Sequence, residues 1–146
     1  MARFETDGID ELAAQLHNLG AALENEIGDA MLMAGAEKVR QAWRQSAIMH
    51  RHKRYGYLID AIGYARKPKK VRDVKSIDIY PQGYDKDGRR NAMKAFVLHY
   101  GTKKKDGSVR IPGSRWIDDA DRICDSTVLP EMERVYNEEL KKRGLG

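Results

Sequence analysis

Between Ala21 and His50 the chain contains no proline, and most of its residues favour the helical state. Leu23, Ile27, Met31, Ala34, Val39 and Ala42 trace an apolar stripe through this stretch, and Trp43 and Ala47 continue it. A helix of about 28 residues is about 42 Å long. An element of that length constrains the rest of the fold, because whatever follows has to cover its apolar side. The middle is small (Ala30, Ala34, Gly35, Ala36), so another backbone can approach closely there. Ordinary core packing accounts for such residues; a helix-to-helix contact between subunits is the sharper reading.

The stretch before it, residues 8–19, predicts a separate short helix. Ile9, Leu12, Ala13, Leu16 and Leu19 share one helical face, and Gly20 ends or bends the element. After the long helix (21–50) comes a basic link, His50-Arg51-His52-Lys53-Arg54. Tyr57, Leu58, Ala61 and Ile62 then suggest a helical turn or two. Residues 63–72 are basic and contain Pro68, as protected sheet edges often do. Alternation over 74–81 predicts a strand with Ile77 and Ile79 facing the core. Residues 82–90 read as a hairpin loop, and Met93 to Tyr100 as the strongest strand of the chain. Residues 101–113 read as a flexible loop, or else a small second hairpin.

In the last segment, 114–142, Ile117, Ala120, Cys124, Val128, Met132 and Val135 keep one phase across Pro130, which predicts a single kinked helix. Ser114 is its expected cap, with Asp118 and Asp119 at its positive end. The expected fold is α+β. A long N-terminal helix and a kinked C-terminal helix pack on a small antiparallel β-sheet, all within one domain spanning 1–146.

A chain of 146 residues suits one domain. Yet only 41% of it is apolar, 8% aromatic and 34% charged, so the expected core is thin and neighbouring subunits are expected to add to its stability. Charge is segregated behind a net of +5. Residues 1–29 carry seven acids against Arg3 alone, a balance of −6. Residues 51–75 carry nine Lys and Arg against two Asp (+7), and residues 113–139 carry eight acids against three Arg (−5). Opposed blocks of this kind steer association and fix register. The interface expected from them involves Lys67, Lys69 and Lys70, together with Lys103, Lys104 and Lys105.

Catalytic chemistry finds little to work with. His50 and His52 project about 200° apart on a helix and sit among cations that repel a metal. His17 and His99 have no ligand-spaced partners. Cys124, the single cysteine, falls on the apolar phase of the last helix and allows no internal disulfide. Nucleophile-elbow, phosphate-loop and dinucleotide signatures are missing. The expectation is a protein without enzymatic activity, cofactor or metal. No apolar run is long enough for a transmembrane helix, and the N-terminus lacks a signal peptide's apolar stretch, so a cytosolic product is expected.

Three segments, in this order, resemble a known family. Gly56-Tyr57-Leu58-Ile59-Asp60-Ala61-Ile62 resembles a Thr-Gly-x-Leu-x-x-Ser-Ile segment after a long helix, with Gly56, Leu58 and Ile62 matching. Ala95 to Thr102 resembles a segment ending Glu-Phe-Gly-Thr, here His99-Tyr100-Gly101-Thr102. Arg115-Trp116-Ile117-Asp118-Asp119-Ala120 resembles the Pro-Phe-Leu-x-Pro-Ala that opens a last helix, with Trp116, Ile117 and Ala120 in the matching places. Tyr55, Ala61, His99, Arg115 and Asp119 depart from that pattern.

The chain is similar in this way to the tail-completion or neck proteins, also called minor tail components, of long-tailed bacteriophages and prophages. The resemblance implies a virion structural subunit made in a bacterial cytoplasm, in a homo-oligomeric ring, commonly six-fold, around the DNA channel of the head–tail joint. It implies contacts with head-closure or adaptor proteins and with the tail terminator or tail tube. Weak contact with DNA in the channel is compatible with it. A different reading takes the basic 51–75 stretch, interleaved with Tyr55, Tyr57 and Tyr64, as a nucleic-acid-binding surface. A third, a toxin-like or regulatory protein of a mobile element, has little behind it.

Overall fold

The computed structural model describes residues 6–50, 56–72 and 74–144; in the first helix it describes side chains at 14, 17, 20 and 21 and from 24 onward. That helix, α1, runs without interruption from Thr6 to Met49, 44 residues, or about 66 Å. The two helices expected over 8–19 and 21–50 are therefore one. Gly20 costs about 1 kcal/mol relative to alanine inside a helix, too little to break one with favourable sequence on both sides.

The C-terminal helix, α4 (Trp116–Lys142), also runs as one element, with Pro130 inside it. It lies antiparallel along α1. At one end Ser46 Oγ donates to Trp116 O, and His50 Nε2 is 2.5 Å from Asp119 Oδ2. At the other end Arg143 pairs with Glu26. Midway, Gly35 sits where an added Cβ would be 3.2 Å from Met132 Sδ and 3.5 Å from Val128 Cγ1. The small middle of α1 thus packs against the chain's own last helix.

The segment between the two helices is built from short pieces: α2 (Gly56–Asp60), β1 (Ile62–Gly63), β2 (Lys69–Val71), β3 (Val74–Ser76), β4 (Tyr80–Pro81), α3 (Asn91–Tyr100), β5 (Gly101–Lys103) and β6 (Val109–Pro112). The strands form three two-stranded antiparallel pairs, β1 with β4, β2 with β3, and β5 with β6. The fold is α+β, two long helices packed with small antiparallel sheets.

Two expectations need correction here, and one open choice is decided. Met93 to Tyr100 is the body of a helix; a short apolar run has no periodicity of its own that separates strand from helix. Of the two readings of residues 101–113, a flexible loop or a small second hairpin, the hairpin holds; it is closed by Gly107 N donating to Lys104 O at 3.0 Å and Lys104 N donating to Ser108 O at 2.8 Å. Ser114 does not cap α4: its Oγ donates to Leu98 O at 2.9 Å. The N-cap residue is Arg115, in left-handed backbone at φ 57°, with no capping bond from its own side chain. A cap arrives instead from α3, where His99 Nδ1 accepts the Ile117 N–H at 3.2 Å.

The core forms where these pieces meet. Ala47 of α1, Leu58 and Ile59 of α2, Ile62, Ala95 of α3 and Trp116 of α4 are buried together, with Trp43, Ile79, Leu98 and Ile117 packed around them. Trp116 fills the centre, edge-on to Trp43 at 5.4 Å between rings, and its indole N–H donates to Ala95 O at 3.2 Å. Leu58 and Ile62, Ala95 and His99, and Trp116 with Ala120 come from the three segments singled out in the sequence, and all are buried.

Candidate interaction face

Helix α3 has its amphipathic sides arranged against expectation. The inward residues are Asn91, Ala95 and His99, at i, i+4 and i+8. Each is fixed by a specific demand. Asn91 Nδ2 donates to Gln82 O at 2.8 Å, Ala95 leaves room for the Trp116 ring, and His99 caps α4. The large apolar residues consequently face outward: Met93 is 62% exposed, Phe96 52% and Tyr100 62%. The Phe96 and Tyr100 rings stack at 6.2 Å, and the Arg115 guanidinium lies 5.3 Å over the Tyr100 ring.

The β5–β6 hairpin extends this face. Gly101 ends α3 at φ 77°, its N–H bonded to Val97 O. A Cβ at this position would lie 2.5 Å from Gly113 N, and one on Gly113 would lie 2.6 Å from Tyr100 O. The two backbones touch here, so the hairpin is held flush against the end of the helix. Exposed Val109 and Ile111 carry the apolar surface across. A groove of about 370 Å³ runs between Ile111 and the Met93–Val97 side of α3, with Arg89 and Arg90 at its edge. Arg110 and Lys103, on the same hairpin, are exposed.

Beside this face the 83–90 loop is stapled down. Asp85 Oδ1 accepts the Arg89 N–H at 2.8 Å and the Asp87 N–H at 2.9 Å, while Lys94 of α3 pairs with Oδ2 and donates to Tyr57 Oη at 2.9 Å. The bond from Lys94, followed by that from the Arg89 amide, pulls the Asp85 carboxyl down to about 2. Elsewhere, Tyr64 Oη donates to Glu37 Oε2 at 2.7 Å; burial and this bond push the phenol up to about 12.

The lysines expected at an interface lie on two separate hairpins. Lys69 and Lys70 are exposed on β2 with Lys67 just before it, and Lys69 Nζ is 2.5 Å from Asp78. Lys103 ends β5, and Lys104 and Lys105 begin its turn. Thr102, beside them, is half-buried. The 51–54 basic run and Tyr55 lie outside the described residues. Of the described cations of the 51–75 block, Lys75 binds Asp29 at 2.8 Å and Asn25 O at 3.1 Å, so part of that block is spent on the acidic N-terminal block of the same chain. Sequence reading did not find the α3 face, because it took those residues for a buried strand.

Among the described residues no cluster of three His, Cys, Asp or Glu is placed to hold a metal ion. Cys124 is half-buried, and burial, with Asp121 and Asp125 nearby, raises its thiol pKa away from the reactive thiolate. Among the described residues no helix is long and apolar enough to cross a membrane. No protein-family model, curated protein or solved structure matches this chain.

Proposed function

We propose that this protein is a non-enzymatic assembly subunit and, within that class, a tail-completion or neck subunit that forms a ring at the head–tail joint of a long-tailed bacteriophage. The observation that carries the assembly reading is the outward apolar side of α3. Met93, Phe96 and Tyr100, continued by Val109 and Ile111, make a contiguous exposed apolar patch rimmed by arginines. Patches of that kind mark protein contacts. The narrower reading rests on the order of the three sequence segments, whose residues meet in one core. Its partners are further copies, head-closure or adaptor proteins, and the tail terminator or tail tube.

The nucleic-acid reading is weakened by the ion pairs of Lys69 and Lys75, which neutralise part of the basic stretch inside the chain. Two measurements test the proposal. Sedimentation equilibrium of the purified protein is expected to show self-association in the absence of DNA; tight, salt-dependent DNA binding by a protein that stays monomeric would favour the nucleic-acid reading instead. Immunogold electron microscopy of particles released by the source element is expected to label the head–tail joint. Particles lacking the protein altogether would defeat the neck assignment.

A further inference from the structure

Helix α4 carries an exposed stripe that complements the α3 face in charge. Asp121, Asp125, Leu129 and Tyr136 are exposed and form a stripe that flanks the phase of Ile117, Ala120, Cys124 and Val128. Leu129 is 68% exposed and Tyr136 is 44% exposed. Arg122, close to the stripe, is held by Asp119 at 2.8 Å, and Arg134 is occupied by Glu131 and Glu138. The stripe is therefore acidic at one end and apolar beyond, and extends about 22 Å from Asp121 to Tyr136. The α3 face is apolar at its centre and basic at its rim, through Arg89, Arg90 and Arg115.

Within one chain α3 and α4 meet at the first turn of α4, through the His99–Ile117 bond. The acidic stripe starts a turn further on and is exposed, so a second copy can reach it. We infer that the α3–hairpin face receives the α4 stripe of a second copy, with Phe96 and Met93 against Leu129 and Tyr136 and the arginine rim around Asp121 and Asp125. This deepens the assembly reading above and rests on it. Where the contact is not reciprocated across a two-fold axis, each copy keeps one of each surface unused, and the contact propagates head to tail into a ring or an open array.

Charge reversal tests the pairing. Arg90 and Asp125 are both exposed, so Arg90→Glu and Asp125→Arg are expected to leave circular dichroism and the melting temperature near wild type. Each alone should weaken self-association by on the order of tenfold or more, since like charges then face each other. The double variant should recover most of the loss. If the wild type associates and neither single change matters, the surface is wrong while the assembly reading stands. If Arg90→Glu weakens association but Asp125→Arg does not, and the double variant gives no recovery, something other than α4 occupies the face and the inference is overturned. A wild type that sediments as a monomer at all concentrations removes the assembly reading itself, and this inference with it.

Discussion

The α1–α4 pair and the segment between those helices solve the same problem in different ways. In the helix pair, the apolar residues that keep one helical phase point inward, while Ile48, Met49, Leu129 and Tyr136 stay exposed, and the small residues of α1 let α4 approach. In the 56–115 segment the elements are two to ten residues long, too short to bury much by themselves. Their inward positions go to Asn91, Ala95 and His99, which hold other elements in place, and their large apolar residues go outside. The first region is built chiefly for its own stability. The second accepts an exposed apolar surface, and that is where a partner has something to gain.

Two glycines expose the contrast, one from each region. Gly101→Ala should have the largest effect. It forces a Cβ into left-handed backbone and against the facing strand, so a loss of about 3 kcal/mol is expected. Thermal unfolding should show this as a drop of roughly 6–12 °C; an unchanged midpoint would mean that the hairpin can lift off α3 at no cost. His99→Ala comes next. It removes the cap of α4 and leaves the Ile117 N–H without its acceptor, which should cost about 1–2 kcal/mol in chemical denaturation. Loss of helical signal confined to the start of α4, read by amide exchange, would identify the cap as the cause.

A smaller effect is expected from acid. The folded Asp85 carboxyl is held down at about 2, below its ordinary value of 3.8. Its contribution to stability is therefore present above pH 4 and fades as pH falls through about 2. Asp85→Asn should remove that part of the acid dependence; an identical slope in both proteins would show that the Lys94 staple does not matter to stability. Gly35→Ala should change least. The new methyl meets the flexible end of Met132 at 3.2 Å, while the helix gains about 1 kcal/mol of propensity, so the net is expected within about 1 kcal/mol of zero. A large loss there would mean that the helix pair is packed as rigidly as the hairpin junction.

The same contrast governs what could be read from sequence. The phase of Ile117, Ala120, Cys124, Val128, Met132 and Val135 locates α4 and its buried side, because burial there follows apolar spacing. In α3 burial follows function within the fold: a polar cap, a small residue under a tryptophan and an amide that ties down a loop. The apolar residues Met93, Phe96 and Tyr100 mark the outer side, so apolar pattern pointed the wrong way. A hairpin at 101–113 is one of two readings of the sequence, but its docking on α3 is not legible there, since it depends on two backbones touching at Gly101 and Gly113, and side-chain pattern does not record such contacts.

The length of α1 has a consequence for how this molecule behaves in solution. A compact domain of this size has a radius of gyration of about 15 Å, whereas a helix of 44 residues is about 66 Å from end to end. The hydrogen bonds and ion pairs of α1 with other elements, among the described residues, run from Asn25 toward its C-terminal end, and α4 reaches it as far as Glu26. A helix of that length lengthens the particle beyond a compact sphere of the same mass. A monomer of this shape diffuses slowly and elutes early from a sizing column, where it can pass for a dimer. Counting copies therefore calls for sedimentation equilibrium or light scattering, which weigh the particle independently of its drag.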